Sequence, residues 1–239
     1  MITKETNNIS DVDFQAGQVI LVDKPLTWTS FRVVRVLRKF TKVKKVGHAG
    51  TLDPLATGLL IVCTGKKTKE ISEYQSQKKL YEGIITLGKS SASLDLDTEV
   101  ICSNIPVDLT KEKIYKARDK FLGEIEQIPP MFSALKHKGK SLYKLARAGK
   151  EVERASRKVE IYSFKIKNIE IPDIHFEIAC SKGTYIRSIA DDFGKELGSR
   201  AILSSLRRTA IGKYKVEDAL TVEKFEALFD ATANKKSAT

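Results

Sequence analysis

Acidic residues are in short supply. The 239-residue chain sets 30 Asp and Glu against 42 Lys and Arg, a net charge of +12. That balance disfavours a cationic partner and favours a polyanion, with nucleic acid first. Cysteine is sparse: Cys63, Cys102 and Cys180 are isolated thiols, odd in number and without CxxC spacing. They exclude a disulfide framework and fit buried thiols in a reducing compartment. The three histidines, His48, His137 and His175, are scattered, so no metal-ligand spacing is readable and no metal is expected. No apolar run approaches the length of a membrane span. The polar first 13 residues lack a signal-peptide hydrophobic region, and a cytoplasmic protein without membrane association is expected. The run Thr64-Gly65-Lys66-Lys67-Thr68 lacks both the glycine spacing and the hydroxyl after the first lysine that a phosphate loop requires. It reads as a strand-to-helix turn. Internal repeats and low-complexity segments are also missing.

What is present is a 41% hydrophobic chain, enough for one large domain or two small ones. Residues 1–16 read as a flexible arm. Residues 19–22 read as a strand ending in Asp23-Lys24-Pro25. Ser30 is placed to cap a helix with Phe31, Val34 and Leu37 at helical spacing, while Arg32, Arg35, Arg38 and Lys39 occupy its other faces. Residues 48–58 then form a loop with glycines at 50 and 58 and Pro54, which holds Asp53 extended. The apolar run 59–63 suits a strand buried on both faces. Residues 79–88, with Tyr81, read as another strand.

Further on, Thr110 is placed to cap a helix reaching Leu122, with Ile114, Ala117 and Phe121 inward. After Pro129-Pro130 the composition turns basic to residue 158, with a short helix over 141–148 ended by Gly149. Residues 159–171 alternate with a phase slip at Tyr162-Ser163 that predicts a bulge. Ile174, Phe176, Ile178 and Cys180 alternate cleanly. A helix follows with Ile186, Ile189, Ala190, Phe193 and Leu197 on its apolar stripe, stopped by Gly198. Arg187 lies beside that stripe in the first turn, where the helix dipole asks for a compensating partner. Thr221 is placed to cap a last helix, and 231–239 read as a disordered tail. The order of elements gives an α+β class. The residues alone reach a basic, cofactor-free, RNA-binding chain with an exposed aspartate.

The string HAGTLDPLATGLL, residues 48–60, resembles the active-site motif of the TruB-type tRNA pseudouridine synthase family. Four further blocks resemble that family in order between about residues 19 and 220. These are DKPLTWTS at 23–30 against DKPxGxTS, the K-x-Y block at 79–88, the Q-x-PP-x-x-SALK block at 127–136, and CSKGTYIRS at 180–188 with LRR at 206–208. Two departures stand out. Thr27 replaces a glycine and is followed by Trp28, and Ser91-Ala92-Ser93-Leu94-Asp95 keeps only the last acid of T-D-T-x-D.

The resemblance implies the pseudouridine synthase fold: a mixed, largely antiparallel sheet flanked by helices, a central active-site cleft, and an inserted thumb loop. It implies a catalytic domain over 17–230 with a basic RNA-binding thumb at 129–158, in a short form without the C-terminal PUA domain. It also implies Asp53 as nucleophile, Tyr81 stacked on the target base, and Arg187 paired with the aspartate. His48 then positions loop bases, Leu206 (with Ile186) walls the base pocket, and Lys24, Lys138, Lys140 and Lys144 bind substrate. The implied reaction is conversion of uridine-55 in the tRNA T loop to pseudouridine on a flipped-out base, with no cofactor. The expected partner is the tRNA T arm, with no obligate protein partner and a monomeric state. A tRNA chaperone that does not rely on catalysis, and a synthase acting on another RNA, are the alternatives.

Overall fold

A computed structural model describes residues 1–237. The chain forms two compact units, one of residues 1–81 and 207 onward, the other of residues 82–206.

In the first unit, strand β1 (Val19–Lys24) pairs antiparallel with β3 (Ala56–Thr64), Val19 opposite Cys63 and Lys24 opposite Gly58. Strand β2 (Val46–His48) also pairs with β3, and the order continues to β12 (Ala201–Ile211), on whose end the short β13 (Tyr214–Lys215) folds back. The continuous apolar run of β3 is explained by its two faces. Leu60 and Val62 pack with Ile20, Val22, Val34, Leu37 and Phe225. Leu59, Ile61 and Cys63 pack with Val19, Leu21, Ile211 and Tyr74, the last on helix α2 (Ile71–Ser76). Helix α1 (Ser30–Thr41) buries Val33, Val34 and Leu37, worth roughly 1.5–3 kcal/mol per side chain. Its cap is Thr29, whose hydroxyl accepts from Arg32 N–H at 3.0 Å. Ser30 is instead the first helical residue, because its hydroxyl is engaged with Leu52. Phe31, expected inward, is 59% exposed, since Val33 takes the inward position.

Residues 1–16 do not form a free arm. Ile2 bridges to Ile20, donating to Val19 O at 2.8 Å and accepting from Leu21 N–H at 3.0 Å, and Ile2, Ile9 and Phe14 join the core. The last helix, α6 (Val222–Ser237), runs into the segment read as a tail, of which residues 238 and 239 lie outside the described residues. Thr221 caps it as expected, accepting from Lys224 N–H at 3.2 Å.

In the second unit the strand order is β12, β4 (Lys79–Leu87), β11 (Asp173–Cys180), β10 (Arg157–Glu170) and β7 (Gly123–Gln127). Strands β10 and β11 are antiparallel, and their register shifts between Ile161 and Ser163, where the phase slip predicts a bulge. A second shift lies between Ile166 and Asn168. Helices α3 (Lys111–Asp119) and α5 (Ile186–Glu196) flank this sheet. Phe121, Phe164, Phe176 and Phe193 make tilted and edge-on contacts at 5.6–6.3 Å.

Cys63 and Cys180 are buried, as expected of structural thiols, and burial pushes the Cys63 thiol up to about 12. Cys102 departs from that expectation: it is exposed on the short strand β6 (Val100–Cys102), which pairs with β5 (Lys89–Ser91). No helix among the described residues is long and apolar enough to cross a membrane.

Candidate active site

The Asp53 loop is held at four points, each by a bond to its backbone. Leu52 N–H donates to Ser30 Oγ at 2.8 Å, and that hydroxyl donates to Leu52 O at 3.1 Å. Lys24, fully buried, points its ammonium at the carbonyls of Pro25 (2.9 Å), Trp28 (2.6 Å) and Pro54 (3.4 Å). Arg208, 1% exposed, donates Nε to Leu59 O at 2.8 Å and Nη2 to Gly50 O at 3.0 Å. Ala56 N–H donates to Asp53 O at 3.1 Å, closing the turn. Gly58, at φ +103°, lets β12 approach: a Cβ there would lie 2.3 Å from Arg208 O. A loop pinned in this way holds its carboxylate in place before substrate arrives.

Two buried cations set the local charge. Burial holds Lys24 down at about 8, against an opposing pull from Asp53 and a further push down from Arg208. His48 also titrates below the ordinary histidine range, first because of burial and then because of Arg208, so its ring is neutral at pH 7. Its Nδ1 is buried without a hydrogen-bond partner. Tyr81, 8% exposed, is buried on the opening residues of β4, which belong to the same unit, the rest of the strand belonging to the other. The first unit therefore brings together Asp53, Lys24 and His48.

The loop before α1 is strained where the sequence departs from DKPxGxTS. Thr27 sits at φ +67°, a left-handed backbone that a β-branched residue adopts only at a cost. The bidentate pair of Arg207 with Asp23, at 2.7 and 3.0 Å, fixes the start of this loop.

Arg187 belongs to the second unit, where it is 3% exposed rather than a surface cation. Its Nε lies 3.6 Å from Asp95 Oδ2, and its two Nη atoms donate to Ser93 O and Phe132 O at 2.8 Å each. Asp95, the acid kept in the divergent 91–95 segment, is thus the compensating partner within that unit. Ile186 is buried on α5 and Leu206 is half-buried on β12.

The segment expected as a thumb carries more local structure than its charge suggests. Strands β8 (Lys136–His137) and β9 (Lys140–Ser141) form a hairpin whose turn places Lys138 at φ +47° and Gly139 at φ +81°, the geometry of a type I′ turn. Helix α4 (Leu142–Arg147) follows, within the helix expected over 141–148; Ser141 caps it, and it packs through Tyr143 edge-on to Phe132. Lys138, Lys140 and Lys144 are all exposed. Beside this segment a cleft of about 640 Å³ is lined by Phe132, Lys150, Arg154, Ser188, Asp191 and Asp192, among others. Its mixed charge gives it no preference for phosphate.

Sequence reading missed Arg208, Arg207 and the clamp role of Ser30. Arg207 and Arg208 lie inside the LRR block, where only the leucine carried an expectation, and a buried arginine looks like a surface one until its partners are known.

A basic α+β chain with a carboxylate on a clamped loop, fed into a buried strand, is the class that fold and site define. The chain belongs to the TruB family: the family model described as TruB family pseudouridylate synthase (N terminal domain) matches residues 38–186. A second, described as tRNA pseudouridylate synthase B C-terminal domain, matches 187–238. It is 48% identical over 221 residues to tRNA pseudouridine synthase B of Flavobacterium johnsoniae, covering 90% of this chain and 96% of the relative. The corresponding protein of Chloroherpeton thalassium is 50% identical over 211 residues, covering 86% and 88%. Among solved structures, a chain of a Cbf5-Nop10-Gar1 complex matches with a TM-score of 0.69 at 31% identity. That match covers 90% of this chain, which spans 56% of the solved one.

Proposed function

We propose that this chain isomerises uridine to pseudouridine in tRNA, at the T-loop uridine called position 55, with Asp53 as the nucleophile. The observation that carries this reading is the clamped Asp53 loop, in a chain whose relatives, named tRNA pseudouridine synthase B, are matched along 86–96% of both partners. The N1–C1′ bond of the target breaks, the uracil turns within the pocket, C5 bonds to C1′, the C5 proton leaves, and N1, freed of the sugar, takes up a proton. No atom is added or lost by the nucleoside in the net reaction.

The roles follow the chemistry of each side chain. Asp53 acts at the flipped-out nucleotide. Tyr81 stacks on the uracil and relays the C5 proton. Arg187 pairs with the Asp53 carboxylate, and neutral His48 occupies the place of displaced loop bases. Leu206 walls the base. Tritium release from tRNA carrying [5-³H]uridine tests the reaction, because forming the C5–C1′ bond displaces the C5 hydrogen without any added methyl donor. No release would defeat the reading.

Lys24 gives this site a pH signature. Its ammonium is protonated below about pH 8 and becomes neutral above, removing the positive charge that faces Asp53 and orders the Pro54 carbonyl. The profile of kcat/KM is expected to fall on its alkaline side with an apparent pKa near 8. In Lys24→Met that limb should vanish and leave a lower, flat rate. A limb that stays in the variant assigns it to another group.

RNA affinity from the thumb is proposed to come from Lys138, Lys140 and Lys144. Replacing all three by Gln should weaken tRNA binding and lower the slope of log K against log salt by about two, at roughly 0.7–0.9 for each phosphate left without its lysine. Filter binding at salt concentrations from about 50 to 300 mM reads both. An unchanged slope would remove the thumb from the interface.

A further inference from the structure

We infer that the outer face of α1 is a second RNA-binding surface, holding the sugar-phosphate backbone of the substrate at nucleotides flanking the target. Residues 24–52 contain no aspartate or glutamate, while Arg32, Arg35, Arg38, Lys39, Lys42, Lys44 and Lys45 lie among them. All seven are exposed, and none forms an ion pair among the described residues. At 100° per residue, Phe31, Arg32, Arg35, Arg38 and Lys39 share an arc of about 120°. Ser30, Val33, Val34 and Leu37 are buried on the opposite side. The inner face is therefore spent on the core and the outer face carries one sign of charge.

A basic face that merely keeps a protein soluble mixes in acids at i+3 or i+4, because like charges at that spacing destabilise a helix. Here Arg32–Arg35, Arg35–Arg38 and Arg35–Lys39 are like-charge neighbours with no acid on the helix to offset them, Arg38 meeting only the Val46 carbonyl at 3.2 Å. A polyanion relieves all of them together. Two guanidiniums are also held in place by aromatic rings: Arg32 lies 3.8 Å over Trp28, and Arg35 lies 5.6 Å from the exposed Phe31. Rings beneath arginines orient them before a ligand arrives, which lowers the ordering cost of binding. Trp28, the platform under Arg32, sits beside Thr27, the one residue by which this loop departs from DKPxGxTS.

The stripe begins at the site. Ser30 bonds Leu52, next to Asp53, and the 12-residue helix extends about 18 Å from there, the reach of several phosphates. The identity of the RNA rests on the proposed function; the basic surface does not.

The test compares Arg32→Gln/Arg35→Gln/Lys39→Gln with a control of equal charge change on the other unit, Lys111→Gln/Lys116→Gln/Lys167→Gln. Glutamine retains helix propensity, and the apolar face is untouched. Binding of an unmodified tRNA transcript is measured at salt concentrations from about 50 to 300 mM, beside steady-state tritium release. For the stripe variant we expect KM to rise about tenfold at about 100 mM salt, kcat to stay within about twofold, and the salt slope to fall by about two. The control should match the wild type. Equal affinity and slope in the two variants would overturn the inference. Unchanged tRNA binding with loss of sedimentation on phosphatidylglycerol vesicles would also overturn it, assigning the stripe to a membrane surface. Wild-type protein that binds tRNA through the stripe but releases no tritium would defeat the proposed reaction and leave the surface standing.

Discussion

Asp53→Asn is expected to lower pseudouridine formation by about 10⁴-fold or more in kcat, the scale seen when one member of a catalytic unit is lost. Affinity for tRNA should stay within a few fold. The substitution replaces one carboxylate oxygen by an amide and leaves shape nearly unchanged. Ser30, Lys24 and Arg208 hold the loop through backbone atoms of Leu52, Pro54, Gly50 and Leu59, which the substitution leaves in place. A loss of turnover with intact binding therefore reports chemistry and not folding. Single-turnover rates on a tRNA transcript, beside binding of the same transcript, check both halves. A variant that turns over at the wild-type rate removes Asp53 from the reaction. Parallel loss of binding and turnover would point to a collapsed loop.

The second large effect is on stability. Arg187→Met removes the guanidinium from a buried cluster and leaves Asp95 charged, together with the carbonyls of Ser93 and Phe132 without their donor. Breaking a buried ion pair from one side costs about 3–5 kcal/mol. The expected result is a fall of that size in urea-unfolding free energy, a large fraction of the roughly 5–15 kcal/mol that holds an ordinary domain. Arg187→Met/Asp95→Leu should recover a large part of it, since removing both charges relieves the uncompensated carboxylate. Activity should remain absent in the double variant, because the arginine assigned to Asp53 is still missing. Recovered activity with recovered stability would reduce Arg187 to a structural residue. A double variant no more stable than the single would show that Asp95 is not its main partner.

Much of this was legible in the chain itself, and the reasons are local. The buried run 59–63, the alternation at Ile174, Phe176, Ile178 and Cys180, and the slip at Tyr162 are period-2 signals of a strand. The caps at Thr110 and Thr221 are short-range hydrogen bonds that the residue type announces. What was hidden is non-local. Ile2, Ile9 and Phe14 are too sparse to show a period, and only pairing with Ile20 turns the arm into part of the core. Arg208 clamps a loop far earlier in the chain through carbonyl oxygens, a partner type that leaves no trace in residue identity. Ser30 looked like a cap because caps are often serines, yet the chain spent its hydroxyl on Leu52 and left capping to Thr29. The hairpin at 136–141 depends on positive φ at Lys138, which lysine does not advertise. The replacement of glycine at Thr27 was visible, but the left-handed backbone that makes it costly was not.

The central claim, that this chain makes pseudouridine at one T-loop position, is tested most directly by mapping the product. An unmodified tRNA transcript is incubated with the wild-type protein, treated with carbodiimide and alkali, and read by primer extension. The account predicts one new carbodiimide-dependent stop, one nucleotide 3′ of the T-loop uridine at position 55. No stop at that position, or stops only at uridines elsewhere in the transcript, would contradict it.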